Sequence, residues 1–122
     1  MQIKKILIIF FIFLYFSSLT HADNLNFSDL QRYYNSANSY LIYCQNNKDN
    51  QVCNSQNIDS AKRTIITVFY NTAVRFYDAG LLSEANKSAT TCKNFSVSEN
   101  YQDLEIKCNI MLESINKTYS FK

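Results

Sequence analysis

The sequence has no proline, no tryptophan and one glycine, and its one histidine, His21, lies close to the N-terminus. Without proline and with so little glycine, collagen-like, linker-rich and disordered classes are excluded. Beyond residue 22 there is no imidazole at all. That removes the commonest general base near neutral pH, the histidine of Ser–His and Cys–His nucleophile pairs, and the usual zinc ligand. No Cys-x-x-Cys is present either, which removes thioredoxin-type redox chemistry.

What is present begins with Met1 to Ala22, MQIKKILIIFFIFLYFSSLTHA. Lys4 and Lys5 precede an unbroken apolar run from Ile6 to Phe16, and Thr20-His21-Ala22 suits a cleavage site. The run of 11 residues would rise about 16 Å as a helix, roughly half of a ~30 Å hydrocarbon core, too short for a stable membrane anchor. Residues 1–22 are therefore expected to be a cleaved signal peptide, and residues 23–122 a single disulfide-bonded helical domain, periplasmic or secreted. Lys4 and Lys5 leave with the leader, so ten remaining Lys and Arg face ten Asp and Glu. A neutral chain without a basic run is not expected to bind nucleic acid.

Four helical patterns follow. Leu30, Tyr33, Tyr34, Ala37, Leu41 and Cys44 recur at three- and four-residue steps, behind a capping-box match at Ser28-Asp29-Leu30-Gln31. After a polar loop, Ile58, Ala61, Ile65, Val68, Thr72 and Phe76 form a second stripe, stopped by Gly80, which suits a left-handed helix cap. A third helix is expected from Leu81 to about Lys93. Ser96-Val97-Ser98-Glu99 predicts the start of a fourth, with Tyr101, Leu104, Cys108, Leu112, Ile115 and Tyr119 on one face. Asp59–Arg63, Asp103–Lys107 and Glu113–Lys117 are weak pairs four residues apart. Glu99 and Asp103 would share a face there, but two acids on a solvated helix do not make an active site. The expected fold is all-α: a four-helix bundle or short helical stack of two antiparallel hairpins, stapled by two disulfides.

Cys44, Cys53, Cys92 and Cys108 behind an export signal imply two disulfides, with three possible connectivities. Cys44–Cys53 is favoured because it closes a short loop at the end of helix one; Cys92–Cys108 would then link helices three and four. A turn near Phe95–Val97 makes that second bridge awkward, because Cys108 lies further from it than Cys92. The spacings of 9, 39 and 16 lack the close pairs of zinc knuckles, so neither metal nor other cofactor is expected. Four N-x-S/T sequences, at Asn26, Asn86, Asn94 and Asn116, barely exceed the roughly 2.5 expected by chance in so Asn-rich a chain.

The stretch from Ile66 to about Val97 resembles a single tetratricopeptide-type repeat, with Phe69, Ala73, Phe76, Gly80, Ala85, Ala89 and Cys92 at its large, small and turn positions. It departs at Thr72, Ala89 and Val97, where that family has leucine, an aromatic and often proline. The resemblance implies a peptide-binding face at Thr67, Tyr70, Val74 and Tyr77; the alternative is that Tyr70, Val74 and Tyr77 pack on helix one. Separately, YLIYC followed by a cysteine nine residues on is similar to some periplasmic immunity proteins. The function expected is a small exported non-enzymatic module that binds another protein or peptide, an inhibitor or immunity-type protein of the cell envelope. A secreted effector or toxin and an envelope assembly or chaperone protein are the alternatives.

Overall fold

The computed structural model describes residues 26–120, so the signal peptide expected at 1–22 lies outside the described residues. Four helices and no strand occur among them: α1 (Phe27–Asn46), α2 (Ser55–Asp78), α3 (Leu82–Glu99) and α4 (Gln102–Ser120). The fold is all-α, and both disulfides form as paired from the spacing, Cys44 with Cys53 and Cys92 with Cys108. Such bonds are the mark of an oxidising environment. The chain divides into two compact units between Ile65 and Ile66, inside α2.

In the N-terminal unit, α1 buries Leu30, Tyr33, Ala37, Tyr40 and Cys44, alternating steps of three and four. That is the stripe read from the sequence, except that Tyr40 is buried and Tyr34 and Leu41 are only partly covered. The cap is not Ser28. Asn26, in extended backbone, accepts the Asp29 amide on its carboxamide oxygen at 2.9 Å, so the helix starts ahead of the Ser28 capping box. Asparagine caps a helix as well as serine does. At the start of α2, Asn54 accepts the Asn57 amide at 2.9 Å in the same way.

The C-terminal unit turns twice with one device. At Gly80 (φ 77°) the Leu81 amide donates to the Phe76 carbonyl at 2.9 Å and the Gly80 amide to Tyr77 at 3.0 Å. At Asn100 (φ 63°) the Tyr101 amide donates to the Ser96 carbonyl at 2.9 Å and the Asn100 amide to Val97 at 3.2 Å. Both are paired C-terminal caps that need a left-handed residue, which glycine supplies freely and asparagine more readily than other side chains.

The second cap corrects the expected boundary between helices three and four. α3 runs to Glu99 rather than about Lys93, and Ser96 is a buried interior residue, not the start of a helix. Its hydroxyl donates back to the Cys92 carbonyl at 2.8 Å, four residues earlier, the alternative open to a serine inside a helix. The turn therefore centres on Asn100, midway along the 16-residue interval between Cys92 and Cys108. The two cysteines then face each other in an antiparallel hairpin, with Cα atoms 5.8 Å apart, and the offset expected from an earlier turn disappears. Glu99 and Asp103 fall on different helices rather than on one face.

Two clusters fill this unit. Ala73, Ala85 and Ala89, all 0% exposed, form a small-residue seam with Met111 and Ile115. Ile66, Cys92, Tyr101 and Cys108 form the other. Alanine at the seam lets α2 and α3 approach closely, and the large residues of α4 fill the space beside them. α4 differs from its expected stripe at two places: Met111 is buried, and Tyr119 is exposed.

Candidate functional site

Three surfaces could carry a function, and each is built by a different local rule. The first is the connection between α1 and α2. Its backbone makes two successive turns, Asn50 amide to Asn47 carbonyl at 3.0 Å and Cys53 amide to Asn50 carbonyl at 2.9 Å. Asparagine side chains hold those turns, as their short carboxamides favour. Asn47 Nδ2 donates to the Tyr43 carbonyl at 2.8 Å, Asn50 Nδ2 to the Tyr43 hydroxyl at 2.8 Å, and the Val52 amide donates to Asn50 Oδ1 at 3.1 Å. The Val52 carbonyl accepts twice, from the Tyr40 hydroxyl at 2.5 Å and from Asn57 Nδ2 at 3.1 Å. Burial raises the Tyr40 phenol above its ordinary pKa of 10.0, and its hydrogen bond with Asn57 lowers it in part. The Cys44–Cys53 bond, Cα atoms 5.4 Å apart, closes the same loop covalently. Lys48, Asp49 and Gln51 stand exposed on this frame.

The second surface is the α2 face that the repeat resemblance assigns to peptide binding. Tyr70, Val74 and Tyr77 are partly buried and pack on the cluster of Ala73, Ala85, Ala89, Met111 and Ile115. The Tyr77 hydroxyl lies 2.9 Å from Thr118 Oγ1 of α4, and Lys107 Nζ of α4 sits 4.7 Å above the Tyr70 ring. Thr67, on the same helix, is partly buried too. Within this unit Tyr70 and Tyr77 meet side chains of α4, and Val74 packs on the cluster beside them.

The third surface is the outer side of α4, which the stripe reading passed over. Ile106 and Ile110 are 60% and 58% exposed, one helical turn apart. Asp103, Lys107, Glu113 and Lys117 are exposed around them. The signal was in the sequence: these are the two isoleucines of α4 that fall off the Leu104–Cys108–Leu112–Ile115 line, and an apolar residue off the core face needs another partner or stays wet.

Among the charge pairs, Arg63 and Asp59 meet at 3.2 Å and Lys87 and Glu84 at 3.7 Å, exposed contacts of little energetic weight. Among the described residues no group of three or more His, Cys, Asp or Glu is placed to hold a metal ion, and no helix is long and apolar enough to cross a membrane. No family model matches the chain, and no curated protein or solved structure matches it.

Proposed function

We infer that this chain is a small exported, non-enzymatic protein-binding module of the inhibitor or immunity type, and that its partner docks on the outer side of α4. The observation that carries the reading is the Ile106–Ile110 pair, more than half exposed in a molecule whose other large side chains on α4 are mostly turned inward. Covering two isoleucines contributes about 1.5–3 kcal/mol each, the size of a binding hot spot. The four charges around them provide a polar rim. The leader, the disulfides and the balance of ten cations against ten acids after residue 22 support an exported protein that does not act on nucleic acid. Rigidity follows from the staples and turns, and a rigid face loses little entropy on association.

The test places a photoreactive side chain at position 110 and, as a control, at the exposed Thr91 of α3. One envelope protein should be captured through position 110 and not through 91. The double variant Ile106→Asp/Ile110→Asp should melt like the parent and lose that capture. Undiminished capture by the double variant, or turnover of a substrate by the purified chain, contradicts the reading.

A further inference from the structure

The two disulfides differ in what must move before a reductant can reach them. Cys92 and Cys108 are 1% and 0% exposed, clustered with Ile66 and Tyr101, and they join the middles of α3 and α4. Reaching them requires those helices to part. Cys44 and Cys53 are 5% and 9% exposed, at the end of α1 and in the connecting loop just ahead of α2. Gln45, Asn46, Asn54 and Ser55 beside them are exposed. Reaching this bond requires only displacement of the segment 47–54, a local opening that costs less than unfolding a core.

We propose that Cys44–Cys53 is a thiol-exchangeable clasp and Cys92–Cys108 a permanent staple, the co-reactant of the clasp being a dithiol reductant such as a Cys-x-x-Cys oxidoreductase. A thiolate of the reductant attacks Sγ of Cys53, the more exposed residue of the pair. A mixed disulfide forms, the Cys44–Cys53 bond breaks, and Cys44 leaves as a thiolate that takes up a proton. The reductant's second thiol, losing its proton, then attacks its own sulfur in the mixed disulfide and releases Cys53, which takes up a proton in turn. The chain gains two electrons and two protons, and the dithiol becomes a disulfide. The hydrogen bonds from Tyr40 and Asn57 to the Val52 carbonyl do not depend on the sulfur bond. Broken while the segment is displaced and re-formed when it settles back, they return Cys53 to Cys44 so that the clasp can close again.

The experiment treats the oxidised full-length chain with limiting dithiothreitol, quenches with an alkylating reagent at intervals, and maps the label by peptide mass spectrometry. An intermediate labelled at Cys44 and Cys53, with Cys92 and Cys108 still joined, should form about ten-fold faster than full reduction. Its far-ultraviolet dichroism should remain that of the oxidised chain. In the Cys44→Ser/Cys53→Ser variant the remaining bond should still be reduced more slowly than Cys44–Cys53 is in the parent. Simultaneous opening of both bonds, earlier opening of Cys92–Cys108, collapse of the helical signal in the intermediate, or reduction of the variant's remaining bond as fast as the parent's Cys44–Cys53 each overturns the proposal.

Discussion

The two units close their hairpins by opposite means. Between α1 and α2 the chain runs through a polar loop without glycine, held by asparagine carboxamides, the Tyr40 hydroxyl and a disulfide at its base. Between α2, α3 and α4 it turns on single left-handed residues, Gly80 and Asn100, and the disulfide lies away from the turn, in the body of the hairpin. The difference teaches where a cross-link is needed. A loop that cannot cover itself with apolar side chains is fixed locally, by hydrogen bonds and a short covalent ring. A tight turn fixes itself, and the bond is then free to set the register of two helices.

Removing each disulfide is the severest way to break this comparison. Cys92→Ala/Cys108→Ala should lower unfolding free energy by about 3 kcal/mol through chain entropy, with a further loss from its buried site. Cys44→Ala/Cys53→Ala should cost somewhat less, about 2–3 kcal/mol, because the ring is shorter and the loop keeps its hydrogen bonds. Urea denaturation of the two variants beside the parent reads both, and equal or reversed losses would break the distinction.

The seam comes next. Ala73→Leu should destabilise by about 1–3 kcal/mol, because no space remains for three more carbons beside Ala85 and Ala89. A melting curve identical to the parent's would remove the seam from the account. The turns are sharper still as a probe. At Gly80 an added Cβ would meet nothing within 4 Å, so the cost of Gly80→Ala, about 1–2 kcal/mol, is purely that of the left-handed backbone. Asn100→Gly should change stability by under about 0.5 kcal/mol, while Asn100→Ala costs about 1 kcal/mol. Equal losses at both asparagine variants would show that its side chain, not its backbone angle, makes the turn.

The smallest effect lies in the loop. Tyr40→Phe removes one of two donors to the Val52 carbonyl and should cost about 0.5–1.5 kcal/mol. It also carries a pH signature. Because burial raises the phenol above 10.0 in the folded chain, its contribution is complete below that value and is lost as pH climbs through the raised one. The Phe variant should therefore lose less stability than the parent on passing above pH 10, which denaturation on either side of that pH measures.

Much of this is legible in the sequence. The apolar stripes marked Leu30, Tyr33, Ala37 and Cys44 of α1, Ala61, Ile65 and Val68 of α2, Tyr101 just ahead of α4, and Cys108 and Ile115 within it, all of them buried. Gly80 stopped its helix as expected, because only one residue type suits that backbone angle so well. Short-range rules misled where two of them competed. Ser96 satisfied the capping-box pattern, but its place between Cys92 and Cys108 made it interior, and Asn100 four residues later was the true stop. Tyr40 was passed over for Leu41 because its hydroxyl finds its partner 12 residues away, beyond any local pattern. The outer face of α4 was visible only as a remainder, Ile106 and Ile110 left over once the stripe was drawn.

Intact mass of the protein taken from its natural source, before and after reduction, tests the central claim most directly. The account predicts a chain lacking residues 1–22 that gains four hydrogens on reduction, two for each disulfide. A chain still carrying Met1, with a mass that reduction leaves unchanged, would contradict it.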